Sequence, residues 1–313
     1  MAKTLFLVHG RSFKPARRVL RRSWTDALRH GIDRDFGVVG ADRLRRVKVR
    51  FIYYGDQSNA FLRRSGYDYD EADDRADRRA CLARLKNYAT GDFLGAAGKQ
   101  NYRRLDGRAA ILEALADVFS GPLHLLRLSD RLISVVAPDI REYWNPDTQY
   151  GSAVRWPLTQ KLSGALGRGE DVMLISHSLG TMIAYDVLWK LSYYGEYRAL
   201  RRKNPQRVTW LTLGSPLSDG TVRSNLMGTA ASGTRRYPTV VKAWHNVAAE
   251  DDYIAHDQSV ADDYDDMRTA KLVDAITDYR IFNLAVRGGK ANPHHGPGYV
   301  IHPTVTQLVY DWL

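Results

Sequence analysis

The chain has 313 residues, of which 44% are apolar and 26% are charged, and its formal net charge is +11. This composition is typical of a globular protein, and it contains no run of about 18 apolar residues that would predict a membrane span. The apolar run Leu5–Val8 is shorter than the roughly 7–15 residues of a secretory signal. We therefore expect neither a signal peptide nor a transmembrane anchor.

The single cysteine and the many arginines limit the partners that the sequence predicts. Cys81 is the only cysteine, which excludes an intrachain disulfide and predicts a reducing, cytoplasmic setting. We expect no structural zinc and no cofactor. Arginines cluster at 11–24 and 41–50, and such a field can attract nucleic acid, anionic lipid or acidic substrates. We interpret them as solvated helix faces, and because no nucleic-acid motif accompanies them, no nucleic-acid partner is expected.

Apolar extended runs alternate with helical patterns along the chain. This alternation predicts an α/β fold with a mostly parallel central sheet and helices on both faces. The predicted strands are residues 4–10, 46–56, 171–176, 207–216, 239–251 and 279–286. Helices are predicted at 14–30 and at the end of the chain, 302–313.

Residues 57–155 separate the second and third predicted strands. This stretch is too long for a simple crossover, and it contains helical patterns near 75–89 and 107–119. We predict a helical, cap-like insertion over the carboxyl edge of the sheet, within one domain that spans 1–313. Its aromatic residues either line a pocket or pack in the core, and the sequence leaves both open; they include Phe61, Trp144 and Trp156.

Ser178 lies between the predicted strand 171–176 and a helical pattern that begins at 179. A sharp strand-to-helix turn requires very small residues two positions before and two after, and Ser176 and Gly180 meet this requirement. Such a turn raises the hydroxyl beside a helix N-terminus, where backbone N–H groups stabilise an oxyanion. The alternative is a serine that only caps the helix.

The sequence "SHSLG", residues 176–180 with His177 in second place, resembles the nucleophile elbow G-x-S-x-G of the α/β-hydrolases. It differs at Ser176, which replaces the first glycine. The resemblance covers nearly the whole chain apart from the insertion, and it implies an α/β-hydrolase sheet without its first two strands. It also implies an acid and a histidine that follow the nucleophile in that order.

The resemblance places the acid after the fifth predicted strand. There, "WHNVAAEDDYIAHD", residues 244–257, is similar to a pattern of lipase-like relatives and aligns Asp252 with the acid, with Asp251 as the fallback. A solvated acidic loop is the alternative.

The same resemblance places the catalytic base in the Gly/Pro-rich loop that follows the last predicted strand. His294 is the expected base, and His295 is the fallback. His302 begins the last predicted helix and is interpreted as a cap residue.

Two backbone N–H groups are expected to form the oxyanion hole. One belongs to Leu179, directly after the nucleophile. The other comes from the loop in "LVHGRSF", residues 7–13, which is similar to the H-G motif of lipases and esterases; Arg11 is the expected donor and Gly10 the next. The segment "TLGSP", 212–216, also recurs in similar lipases and is expected to form a turn near the site.

These resemblances imply a serine hydrolase that cleaves a carboxylic ester through an acyl-enzyme, using Ser178, His294 and Asp252. Its substrate is expected to be a small-molecule or lipid-like acyl ester. The same triad also serves thioesterases, amidases and acyltransferases. A third hypothesis is a non-catalytic binding protein whose basic surface is the working face. A homo-oligomer is left open.

Overall fold

Six parallel strands form the central sheet of the computed structural model, which describes residues 2–107, 138–203, 208–255 and 258–313. Their spatial order is β2-β1-β3-β4-β5-β6, and each pair of neighbours is parallel. The predicted α/β class with a mostly parallel sheet is therefore confirmed. The strands are β1 Lys3–Val8, β2 Lys48–Ile52, β3 Asp171–His177, β4 Val208–Leu213, β5 Val241–Ala249 and β6 Ala275–Ile281. A separate antiparallel hairpin consists of β7 Val286–Arg287 and β8 Lys290–Ala291.

Helices connect the strands. The predicted helical pattern near 75–89 corresponds to α3, whereas the one at 107–119 lies, apart from residue 107, outside the described residues. Within the described ranges no helix combines the length and the apolar character that a membrane crossing requires. The helices are α1 Arg17–Arg45, α2 Gly55–Arg64, α3 Glu71–Lys86, α4 Gly95–Arg103, α5 Pro138–Trp144, α6 Tyr150–Gly167, α7 Leu179–Tyr193, α8 Arg198–Lys203, α9 Gly220–Ser224, α10 Asp265–Thr269, α11 Gly296–Val300 and α12 Pro303–Trp312.

Both faces of the sheet are buried. Successive strand residues point to opposite faces, so Phe6 and Val8 join the apolar cluster that contains α6 and α7. Leu5 and Leu7 join the cluster that contains α1, α11 and α12. Burial on both faces explains why the strands are nearly continuous apolar runs in the sequence.

Helix α1 is longer than the predicted helix 14–30. It continues through Gly31 to Arg45, and a Cβ on Gly31 would lie 2.6 Å from Thr306 Cγ2, so the glycine lets α12 approach α1 closely. The only non-helical residue within α1 is Gly37, with φ 56° and ψ −150°.

The last strand of the sheet begins and ends earlier than the predicted strand 279–286. β6 is Ala275–Ile281, and most of its side chains are partly exposed because it lies at the edge of the sheet. The apolar residues after it belong to a loop, in which the Asn283 amide donates to the carbonyls of Pro293 and His295 at 2.8 and 3.1 Å. Asn283 thus fixes the loop that carries the two neighbouring histidines.

The strand order reverses at β1, which lies between β2 and β3. In open α/β sheets, ligands bind outside the carboxyl ends of the strands at such a reversal. Val8 at the end of β1 pairs with Ser176 near the end of β3. This reversal therefore brings the loop after β1 and the turn after β3 to one place.

Candidate active site

Ser178 lies on a sharp turn between β3 and α7. Its φ is 55° and its ψ is −131°, values that cost a non-glycine residue about 1–3 kcal/mol. The Ser178 N–H donates to the Leu213 carbonyl at 3.1 Å, and the Ser178 carbonyl accepts from the N–H of Thr181 at 2.8 Å. The turn is thus held from β4 and from the first turn of α7.

Two glycines lie where the loop after β1 touches the turn at Ser178. A Cβ on Gly180 would lie 2.4 Å from the His9 carbonyl oxygen. A Cβ on Gly10 would lie 2.7 Å from Ser178 Cβ and 2.8 Å from His177 Nδ1. Since real Cβ atoms do not approach so closely, only glycine lets the loop after β1 touch the turn.

Ser176, where an elbow usually has glycine, has a specific partner. Its Oγ accepts a hydrogen bond from Trp210 Nε1 at 2.8 Å, and Trp210 stacks on Trp244 with ring centroids 4.3 Å apart. Sequence reasoning missed this contact, because it joins two strands across the buried face.

His294 and Asp252 form a buried acid–base pair. His294 Nδ1 lies 2.9 Å from both carboxylate oxygens of Asp252, which is 2% exposed. The carboxylate also accepts from the Tyr299 hydroxyl at 2.6 Å and from the Ile254 N–H at 3.0 Å. Burial acts most strongly on Asp252 and would raise its pKa, but His294 and these hydrogen bonds together hold that pKa below its ordinary value. Asp252 is therefore ionised at neutral pH.

The contact with Asp252 fixes the tautomer of His294. A carboxylate only accepts, so Nδ1 carries the proton and Nε2 of the neutral ring is a base. Nε2 of His294 and Oγ of Ser178 are both buried, and neither has a hydrogen-bond partner among the described residues. Unpaired buried polar atoms are rare, and in ligand-free structures a catalytic hydrogen bond is often long.

One link from His294 to the turn runs through His177, the neighbour of Ser178. Burial lowers the pKa of His177 well below its ordinary value, so its ring is neutral. Its Nε2–H donates to the His294 carbonyl at 2.9 Å, and the two ring centroids are 4.6 Å apart.

A second link runs through Gly214, in the segment 212–216. A Cβ on Gly214 would lie 2.8 Å from Asp252 Oδ2 and 3.1 Å from His294 Nδ1, and its φ of +52° also favours glycine. Leu213, just before it, accepts the hydrogen bond from Ser178 N–H. This segment therefore touches the turn on one side and the acid–base pair on the other.

The two fallback residues make other contacts. Asp251 has a φ of 58°, and its carboxylate accepts from the Tyr102 hydroxyl at 3.1 Å. His295 Nδ1 lies 3.8 Å from Cys81 Sγ, and burial, followed by Arg78 and Arg287, lowers the pKa of His295 to about 3. The structure therefore brings together Asp252 and His294, the two residues that the sequence favoured.

His9 orients the peptide between Gly10 and Arg11. Its Nε2 accepts from the Tyr54 N–H at 3.2 Å, so Nδ1 carries the proton and donates to the Gly10 carbonyl at 2.8 Å. In a trans peptide the carbonyl and the next N–H point in opposite directions. The Arg11 N–H therefore points away from the His9 ring.

Asp139 of α5 and Lys14 at the end of the loop after β1 hold that loop in place. Asp139 accepts from the Arg11 Nε at 3.1 Å and from the Ser12 N–H at 2.7 Å. The buried Lys14 Nζ donates to the carbonyls of Arg11, Ser12 and Phe13. Sequence reasoning missed both residues; Asp139 is 128 positions from Arg11, and no local pattern connects them.

A cavity of about 450 Å³ borders this loop. Ser12 and Phe13 line it, and Tyr69 stacks on Phe13 with ring centroids 4.8 Å apart. Part of the stretch 57–155 therefore lies beside the loop after β1. The rest of the lining includes five aspartates, Asp68, Asp70, Asp73, Asp74 and Asp77.

The sequence left open whether three aromatic residues of the stretch 57–155 line a pocket or pack in the core. Phe61 and Trp144 pack against the core, and Trp156 is 58% exposed. Within residues 2–107, 138–203, 208–255 and 258–313, no three metal-ligating side chains are arranged to hold an ion.

Comparison of the chain with models of known families, with curated proteins and with solved structures gives no match. The geometry of this site is therefore what indicates the function of the protein.

Proposed function

We propose that the protein is a serine hydrolase of the α/β-hydrolase class that cleaves a carboxylic ester through an acyl-enzyme on Ser178. The observation that carries this proposal is the pairing of His294 Nδ1 with Asp252 at 2.9 Å. His294 Nε2 and Ser178 Oγ are both buried and have no hydrogen-bond partner among the described residues. The strand order supports it too, since a sheet of this order agrees with an α/β-hydrolase sheet that lacks its first two strands.

In the first half of the reaction, Ser178 Oγ attacks the ester carbonyl and its proton moves to His294 Nε2. Asp252 stabilises the imidazolium that forms. The carbonyl oxygen becomes an oxyanion, which accepts hydrogen bonds from the backbone N–H groups of Leu179 and Arg11. The tetrahedral intermediate then breaks its bond to the alcohol oxygen, and His294 returns the proton to the departing alcohol.

In the second half, water attacks the acyl group on Ser178. His294 Nε2 takes a proton from the water, and the second tetrahedral intermediate breaks its bond to Ser178 Oγ, which recovers the proton. A carboxylic acid is released and the enzyme is restored. Each proton passes through one nitrogen, which is the nitrogen that Asp252 leaves available.

A fluorophosphonate probe tests the proposal, because it reacts with a serine only when a base activates that serine. We expect wild-type protein to be labelled at Ser178, as located by peptide mass analysis, and Ser178→Ala to lose the label. Ser152→Ala is the matched control: Ser152 is exposed and bonds only to the nearby Gln149 carbonyl, so labelling should persist.

A well-folded wild-type protein that is not labelled would contradict the proposal and favour a binding role. A panel of 4-nitrophenyl esters, thioesters and anilides then separates the reactions that this triad serves. Faster cleavage of the ester series supports the esterase.

A further inference from the structure

A second cavity lies between α1 and α3. Its volume is about 370 Å³, within the range of pockets that hold small molecules, roughly 300–1,000 Å³. We call it the arginine pocket, because its lining includes Ser23 and five arginines, Arg18, Arg22, Arg75, Arg78 and Arg79.

The arginine pocket has a strong excess of positive charge. Asp26 is its one carboxylate, so the formal charge of the lining is +4. Asp26 is itself 4.0 Å from Arg29. Among the arginines, Arg78 donates to Asp74 at 2.7 Å. The other four pair with no carboxylate within the described part of the chain.

The spacing of these arginines destabilises the two helices that carry them. Arg18 and Arg22 are four residues apart on α1, and Arg75 and Arg79 are four residues apart on α3. Like charges at this spacing face each other and destabilise a helix. All four are exposed, so water weakens this repulsion, and because α1 also contacts α3 the two pairs lie on neighbouring helices. An anion between them would remove both repulsions.

Ser23 also lines the pocket and is 9% exposed. Its Oγ is buried and has no hydrogen-bond partner among the described residues, which lowers stability. Because that oxygen is closed to solvent, it reaches an anion in the pocket only if the side chain rotates.

We propose that the arginine pocket binds a compact anion that carries two or more phosphate groups. Guanidinium groups bind phosphate through paired N–H donors, and the charge of +4 matches several phosphate groups better than one. The arginines surround a cavity, and they do not form the extended basic stripe that a nucleic-acid strand follows. The same chemistry occurs in a free polyphosphate and in a phosphorylated lipid headgroup.

Titration calorimetry with tripolyphosphate at physiological salt tests the site. We expect one anion per chain, and affinity at least about tenfold weaker in the double variant Arg22→Gln, Arg79→Gln. The matched control is Arg103→Gln, Arg104→Gln, which removes the same charge from exposed residues of α4 and its end and should bind like wild type. The pocket variant should unfold at the same temperature as wild type or above it, since repulsion is removed.

Two further probes separate the sources of the anion. Phosphatidylcholine vesicles that contain phosphatidylinositol bisphosphate should bind wild type, but not the pocket variant, if the anion is a lipid headgroup; tripolyphosphate binding without vesicle binding indicates a soluble anion. Absence of tripolyphosphate binding, an equal loss in the control variant, or binding of a single-stranded oligonucleotide alone would overturn the proposal. None of these readouts depends on Ser178.

Discussion

The carboxyl edge of the sheet and the contact between α1 and α12 each bury a histidine near a carboxylate, but they leave the ring in different states. At the carboxyl edge, His294 gives one nitrogen to Asp252, and its other nitrogen has no partner among the described residues. At the other contact, His302 Nδ1 accepts from the Thr304 N–H at 3.1 Å, and Nε2 donates to the Phe93 carbonyl at 3.3 Å. Only the first ring has a nitrogen available for chemistry.

The two carboxylates differ in the same way. Asp35, on α1, accepts hydrogen bonds from Arg34, from Thr90 and from Thr306 of α12, so its contacts join segments of the fold. Asp252 accepts from His294 Nδ1, and His294 Nε2 is left without a partner among the described residues. A buried acid near a buried histidine is therefore no mark of a site by itself; the difference lies in whether the ring keeps an unpaired nitrogen.

The largest expected effect breaks the pair at the carboxyl edge. In Asp252→Asn the amide no longer fixes the proton on Nδ1 or stabilises the imidazolium, so we expect kcat for ester hydrolysis to fall by about 10⁴-fold. Asp35→Asn is the control, since it should lower the free energy of unfolding and leave kcat close to wild type. Steady-state kinetics and denaturant unfolding measure the two quantities. An active Asp252→Asn, or an equal loss of kcat in Asp35→Asn, would show that the two regions do not differ as argued.

The central strands were predictable from local sequence, whereas Asp252 and His294 were placed by the family resemblance. β1, β3 and β4 are apolar runs because both of their faces are buried, and the edge strand β6, whose side chains are mostly partly exposed, was predicted with wrong bounds. Ser178 was predictable because a turn this sharp needs small neighbours.

Contacts between distant segments were not predictable. The close approach of α12 to Gly31 of α1 depends on Thr306, which lies far along the chain. The bond from Trp210 to Ser176 and the bond from Arg11 to Asp139 likewise depend on how segments meet in space. Periodicity describes which face of an element is buried, but it does not identify the partner.

A smaller effect is expected from placing a larger residue where the loop after β1 touches the turn at Ser178. In Gly10→Ala the new Cβ would overlap Ser178 Cβ and His177 Nδ1, at 2.7 and 2.8 Å, so the loop must move and carry the Arg11 N–H with it. We expect kcat/KM to fall by about 10²–10³-fold and stability to fall by about 1–3 kcal/mol. Gly195→Ala is the control, since nothing lies within 4 Å of its Cβ. Kinetics at temperatures well below unfolding separate the two losses, and a Gly10→Ala enzyme of normal kcat/KM would exclude this loop as an oxyanion donor.

Lys14 should affect catalysis less, because it acts only through the loop carbonyls. Lys14→Met keeps the apolar stem and removes the ammonium donor, so we expect kcat about tenfold lower with KM little changed. Burial lowers the pKa of Lys14 to about 7. The ammonium is thus present below pH 7 and lost above it, so the ratio of wild-type to variant kcat should be largest at acidic pH and shrink as the pH rises through 7. A ratio that does not change with pH would assign Lys14 a packing role only.

The contribution of Lys14 to stability changes with pH in the direction opposite to its contribution to kcat. Between pH 7 and the ordinary lysine pKa of about 10.5, the unfolded chain binds more protons at Lys14 than the folded chain does. Its contribution to the free energy of unfolding therefore rises with pH across this window. Unfolding of wild type and Lys14→Met at pH 6.5 and 9.5 measures it, and an identical pH dependence in both would contradict the burial of the cation.

His302 should leave catalysis unchanged and alter only stability. Burial lowers the pKa of His302 to about 3, so between about pH 6.5 and 3 the unfolded chain binds an extra proton and stability falls as the pH falls, by up to about 1.4 kcal/mol per pH unit. His302→Asn keeps a cap residue and removes this titration. Unfolding at pH 7.5, 5.5 and 4.5 should therefore show a shallower loss in the variant, while its kcat at pH 8 matches wild type. His294→Asn should show the reverse, with kcat lost at pH 8. A His302→Asn variant that lost kcat would remove the distinction between the paired and the unpaired histidine, on which the assignment of the base depends.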